Sequence, residues 1–288
     1  MEKQLEEFYQ KYKTIGKKGV IRLLVFMAIG IAIVSIFLGN PFPYKVDAVI
    51  VTYWAQGWIL ANGYIFYVIL LISFACALIW EGRYLLKLVN RFRNMLYEEC
   101  DAQGLLEIAE LGISFIPENV YRTSKKANRA HRAIRVYFER YYIEALNARG
   151  EYEQAQHYLE YEWKSKKGKG YQQLLQNIRL NIAYKERNLD KYMEIHGNAV
   201  PAIKKSMLLQ SQMKSLEKDY QEALNILNGL QPKFLYEKVN VSFKTVECLC
   251  ELGRYEEAKA HIQFVIENGN TVILKQRAEV LNAKMQGE

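Results

Sequence analysis

Side chains that could catalyse a reaction or hold a metal ion are scattered along this 288-residue chain rather than grouped. The sequence contains no phosphate-binding loop, no GxSxG or HExxH motif, no CxxC pair and no kinase signature. Adjacent carboxylates such as Glu256 and Glu257 point about 100° apart on a helix, so they do not form a catalytic pair. The histidines are dispersed: His131, His157, His196 and His261. We therefore predict that the chain is not an enzyme and uses neither a metal nor a cofactor.

The strongest charge feature is a basic segment from Tyr121 to Arg140, where seven Lys and Arg accompany one acidic residue, Glu139. A basic side chain near an anionic leaflet contributes about 1 kcal/mol of attraction. One hypothesis is therefore contact with anionic lipid headgroups or an acidic partner, and the alternative is a solvated helical face. The contact would be made by Lys125, Lys126, Arg129 and Arg132. Aromatic residues that follow, such as Tyr137 and Phe138, have the spacing of a helix core, so nucleic-acid binding is not expected.

A repeated signal indicates the helices that position these side chains. The pattern Gly-x-Tyr-x-x-Ala occurs twice, at Gly150, Tyr152, Ala155 and at Gly253, Tyr255, Ala258. Degenerate copies lie between them, at Arg187, Leu189, Tyr192 and at Lys218, Tyr220, Ala223. The first members of the four copies are 37, 31 and 35 residues apart, and a weaker copy comprises Gly104, Leu106 and Ala109. We expect the glycine to close a first helix in the left-handed conformation, and the small residue to let the second helix approach its neighbour.

This pattern and period resemble the tetratricopeptide repeat, a unit of about 34 residues that forms two antiparallel helices. The resemblance covers residues 95 to 285, although the Trp-Leu-Gly positions of the family's first helix are not recognisable. It implies an all-α solenoid of about four or five hairpins, whose groove binds a protein or peptide partner. An irregular helical bundle is the alternative. Because such repeats often hold a peptide backbone with amide side chains, the candidate partner site is one helical face carrying Asn177, Asn181 and Tyr184.

Two uncharged runs in the first third of the chain predict membrane-spanning helices. Leu23–Leu38 is 16 residues long and Trp58–Trp80 is 23, which predicts spans at 20–39 and 58–80 once interfacial residues are included. Tryptophans at both ends of the second run suit the two membrane interfaces. A cleaved signal peptide is the alternative for the first run. The sequence that follows it, GNPFPY, lacks the expected cleavage site.

The distribution of basic residues predicts the orientation of these spans. Six Lys and Arg lie in residues 1–22 and four in 83–93, against Lys45 alone in the loop between the spans. Both termini are therefore expected in the cytoplasm. The membrane that the spans cross is predicted to be the plasma membrane of a bacterium. The predicted organisation is a cytoplasmic segment 1–19, the two spans with an extracytoplasmic loop 40–57, a basic juxtamembrane segment 81–94 and a cytoplasmic repeat domain 95–288.

A bilayer anchor followed by a helical repeat surface predicts an interaction protein. The favoured function is a membrane-anchored scaffold or assembly factor. The alternative is an accessory subunit of a membrane enzyme or transport complex, in which the two spans pack against other membrane subunits. The layout is also similar to that of the membrane repeat proteins of the bacterial haem pathway, without a shared motif.

Overall fold

The computed structural model describes residues 90–114, 127–163 and 169–286, together with nine isolated positions between Ile21 and Cys76. The chain divides into two compact units, Met1–Asn90 and Arg91–Glu288. The nine isolated positions are helical and their side chains are exposed. Apart from these positions, the predicted spans 20–39 and 58–80 lie outside the described residues. No helix in the described part of the chain has the combined length and apolarity needed to cross a bilayer.

In its described residues, the second unit is built from helices and contains no strand, so the predicted all-α class is confirmed for this part. Residues 91–97 are helical, and a π-helical turn, Tyr158–Glu162, continues α3. Phe92 and Leu96 are already buried, so the folded unit begins a few residues before the predicted boundary at 95. The helices in chain order are α1 (Ala102–Ser114), α2 (Ala127–Ala148), α3 (Tyr152–His157), α4 (Lys169–Lys185), α5 (Leu189–Gly197), α6 (Pro201–Lys204), α7 (Met207–Leu216), α8 (Tyr220–Asn228), α9 (Leu235–Glu251), α10 (Tyr255–Asn268) and α11 (Ile273–Gln286).

Four helix pairs, α2/α3, α4/α5, α7/α8 and α9/α10, are joined by turns of identical geometry. In each turn one residue is left-handed, with φ of +78° at Gly150, +55° at Arg187, +64° at Lys218 and +71° at Gly253. Its N–H donates to the carbonyl three residues earlier, and the next N–H donates to the carbonyl five residues earlier. These two bonds define the Schellman motif, which satisfies carbonyls at the end of the first helix. The second helix begins two residues after the left-handed residue in every pair.

The weaker copy predicted at Gly104, Leu106 and Ala109 is in the wrong register. The left-handed residue of that turn is Cys100, with φ of +52°, and α1 begins at Ala102, so Gly104 lies inside the helix. The Asp101 carboxylate accepts a hydrogen bond of 2.9 Å from the Gly104 N–H, which caps the helix. The Leu and Ala residues of α1 match the pattern in more than one register, because a helical face repeats every three or four residues.

The residue five positions after each left-handed residue lies in the core. Ala155, Ala223 and Ala258 are fully buried, and so is Tyr192, which takes the place of alanine in the second hairpin. The buried hydroxyl of this larger side chain is satisfied because it donates across the interface to the Leu209 carbonyl, at 2.8 Å. Tyr192 belongs to an apolar cluster that connects the second hairpin to α7, and Ala223 and Ala258 belong to a cluster that connects the last two hairpins.

The array of hairpins curves until its two ends meet. The Thr271 N–H, before α11, donates to the Cys100 carbonyl at 3.3 Å, and the Asn270 side chain donates to the Glu99 carbonyl at 3.1 Å. The Thr271 hydroxyl also donates to the Asp101 carboxylate at 3.0 Å. The first helices of the hairpins therefore face the inner side of a curved array.

Candidate functional site

The inner surface of the array is formed by equivalent positions of the first helices. Six residues before the left-handed residue of each turn stand Glu144, Asn181, Gln212 and Glu247. Three residues before it stand Asn147, Tyr184, Ser215 and Cys250. Seven of these eight side chains line a cavity, and Ser215 lies 3.5 Å from the Tyr184 hydroxyl. The turn geometry thus places the same helical face inward in each hairpin.

A polar cavity of about 300 Å³ lies between α2, α4, α7 and α9. Near its edge Arg140 and Glu144 form an ion pair of 2.7 Å. The amide side chains that line it are Asn147, Gln173, Asn177, Asn181, Gln212 and Asn240. Each amide offers both a donor and an acceptor. Such a lining is the chemical complement of main-chain N–H and C=O groups.

Some of these amides are occupied by internal hydrogen bonds and others face the cavity without one. Asn181 donates to the Asn147 side-chain oxygen at 2.7 Å, and the Gln212 side-chain oxygen lies 3.2 Å from the Tyr192 hydroxyl, whose shorter contact is with the Leu209 carbonyl. Within the described residues, no hydrogen bond involves the side chains of Gln173, Asn177 or Asn240. Their donors and acceptors are therefore open to a ligand.

The three residues of the predicted partner site do not have equal roles. Asn177 and Asn181 lie on the wall of the polar cavity, as neighbours on one helical face. Tyr184 lies deeper, where its ring lines an adjoining cavity of about 50 Å³. Its hydroxyl donates to Glu247 at 2.9 Å. Burial raises the pKa of Tyr184, so the hydroxyl stays a neutral donor that is already engaged.

A buried ionic cluster adjoins this inner end. The Glu247 carboxylate accepts from Lys244 at 2.8 Å and from Arg277 at 2.8 Å, and Lys244 also lies 3.7 Å from the centre of the Tyr184 ring. Burial would raise the pKa of Glu247, but the charges of Lys244 and Arg277 hold that pKa below its usual range. Burial lowers the pKa of Lys244, and Arg277 and Arg187 lower it further against the opposing effect of Glu247. Two cations therefore share one carboxylate in this cluster.

The chain matches no family model, no curated protein and no solved structure. The tetratricopeptide resemblance accordingly stays a prediction, which the recurrence of one hairpin turn at a period near that of the family supports. The chemistry of the cavities is then the most direct guide to function.

The basic segment is only partly described. Lys125 and Lys126 lie outside the described residues, and Arg129 and Arg132 lie in the first turns of α2 with side chains that are also outside the description. Further along α2, Arg135 is buried and forms an ion pair of 3.0 Å with Glu139. Arg135 and Arg140 thus form ion pairs within α2. Contact of the four earlier residues with lipid headgroups or an acidic partner stays a prediction.

Four of the amide residues that line the polar cavity were missed by sequence reasoning: Asn147, Gln212, Gln173 and Asn240. A signal was available for the first two, because counting back from the left-handed residues Gly150 and Lys218 assigns them to the inner face. At the position equivalent to Asn240, the other hairpins carry no amide side chain. Only the packing of α9 against its neighbours brings it to the cavity.

Proposed function

We propose that this chain is a membrane-anchored interaction scaffold that holds an extended segment of a partner protein in the polar cavity of its helical unit. The convergence of amide side chains from α2, α4, α7 and α9 on one cavity carries this proposal. An extended polypeptide presents a main-chain donor or acceptor about every 3.3 Å. Amides pair with these groups whatever the sequence of the segment, because they supply both donors and acceptors.

The anchor in this proposal rests on the sequence. Two uncharged runs of suitable length, flanked by basic residues, favour two spans with both termini in the cytoplasm. The apolar side chains described in these runs agree with lipid contact, since Leu24 is 59% exposed and Leu71 is 64% exposed. A scaffold in this arrangement would present its cavity to cytoplasmic partners close to the bilayer.

Site-specific photo-crosslinking in the native membrane tests the proposal. A photoreactive amino acid in place of Asn177 is expected to capture a partner protein, which mass spectrometry of the adduct identifies. The matched control is Gln172, which is exposed on the same helix and lies outside the cavity lining. Equal capture from both positions, or capture from Gln172 alone, would contradict binding in the cavity.

A second variant separates binding from folding. Asn177→Ala removes a cavity amide that has no hydrogen bond within the described residues, so the free energy of unfolding is expected to change by less than about 0.5 kcal/mol. Loss of a hydrogen bond to the partner is expected to weaken binding about fivefold. Unchanged affinity for the captured segment would argue against contact with this amide.

A further inference from the structure

A second large cavity, of about 410 Å³, lies between α9, α11 and the turn that follows α4. This volume is in the range of small-molecule sites. Most of its wall is apolar, and Val280 at its rim is 56% exposed. The apolar residues that line it are Phe243, Cys250, Ile273, Val280 and Leu281. The wall therefore favours a ligand with an aliphatic part.

The charged groups around this cavity leave a positive surplus. Arg187 and Arg277 line it, and Lys244 lies behind its wall, bonded to Glu247. Both oxygens of Glu247 are occupied, one by Arg277 and the other by Lys244 and Tyr184. The only other acidic residue of the lining is Glu251. The cavity and its wall therefore contain three basic side chains and two carboxylates.

Arg187 is the cation in this group that has no ion-pair partner among the described residues. Its guanidinium lies 5.6 Å from the centre of the Tyr184 ring. Its backbone is fixed by a bond of 3.1 Å from its N–H to the Tyr184 carbonyl. Arginine occupies a left-handed position here, φ +55°, that glycine would adopt at lower energetic cost. Its side chain is exposed and lines the cavity from the turn that follows α4.

We infer that this cavity binds an aliphatic carboxylate, whose charged group contacts Arg187 and Arg277 and whose chain lies against Ile273 and Val280. A guanidinium presents parallel N–H donors that match the two oxygens of a carboxylate. Arg277 can bind the ligand and Glu247 together because it has five donors. The inference is independent of the proposed scaffold function, which uses the polar cavity on the other side of the ionic cluster.

Methyl NMR of the full-length protein in lipid nanodiscs tests the inference. With isoleucine methyl groups labelled, hexanoate is expected to shift the Ile273 signal in a saturable way and to leave Ile203, which is buried beside α5 and α7, unchanged. Hexanol and hexylamine, which have the same chain length, are expected to give much weaker shifts at equal concentration, because they lack the negative charge. An equal response to hexanol, or a stronger response to hexylamine, would overturn the inference.

Two arginine variants complete the test. Arg187→Gln removes an exposed cation without breaking an ion pair of the described residues, and is expected to weaken hexanoate binding roughly tenfold. The control, Arg179→Gln, removes a surface cation of α4 that pairs with Glu160 away from the cavity, and it should leave affinity unchanged. Equal affinity of the Arg187→Gln variant and the parent protein would show that the carboxylate is not bound there.

Discussion

Substitutions at equivalent left-handed positions of the hairpin turns should change the stability of the fold in opposite directions. Replacing a glycine there should destabilise the fold, and replacing a lysine by glycine should stabilise it. Gly253→Ala places a Cβ at φ +71°, where no atom lies within 4 Å, so its effect is purely conformational. The strain of about 1–2 kcal/mol, offset by about 0.5 kcal/mol of unfolded-state entropy, predicts a loss of about 1 kcal/mol. Lys218 already carries this strain at φ +64°. Lys218→Gly should relieve it and stabilise the fold by about 0.5 kcal/mol after the entropy cost of glycine.

Urea unfolding of the compact unit 91–288, followed by far-UV circular dichroism, measures these changes in the free energy of unfolding. Gly150→Ala should cost more than Gly253→Ala, because its new Cβ would lie 3.0 Å from Ile273. The control is Gly197→Ala, at the end of α5, where φ is not positive and the surroundings are open. This substitution should be neutral or slightly stabilising. A destabilised Lys218→Gly variant, or an unaffected Gly253→Ala variant, would refute the left-handed turn geometry.

Three further predictions concern the buried network, the core and the membrane topology. Glu247→Gln leaves Lys244 buried without a counter-charge, so urea unfolding at neutral pH should show a loss of about 3 kcal/mol. The pKa of Glu247 is lower in the folded state than in the unfolded state. The stability that its negative charge contributes is therefore present above the unfolded carboxyl pKa of about 4.3 and is lost as pH falls through the folded pKa. Parallel stability curves of the parent and the variant from pH 6 to 3 would contradict this. Tyr192→Phe removes a buried donor from a core carbonyl and should cost about 1–2 kcal/mol by the same measurement, whereas a neutral result would argue against that hydrogen bond. In intact cells an impermeant thiol reagent should label Pro43→Cys but label Lys259→Cys only after permeabilisation, and the opposite pattern would invert the predicted orientation.

The sequence alone predicts the local elements of the described unit because their causes are local. A left-handed residue, a helix start two positions later and a buried residue five positions later depend on a few neighbouring side chains and on helical periodicity. The copies at Arg187 and Lys218 show that the apolar positions carry the signal even where glycine is replaced. The same periodicity explains the register error at Gly104, since several positions of an Ala- and Leu-rich helix fit the pattern equally well.

The tertiary structure alone decides how these elements are brought together. Asn147 bonds with Asn181 across 34 residues, and Thr271 meets the turn at Cys100 across 171 residues. These contacts depend on how each hairpin packs against the next along the whole unit, which no local pattern encodes. The contacting residues come from segments far apart in the sequence, so neither the polar cavity nor the cluster around Glu247 follows from any single segment.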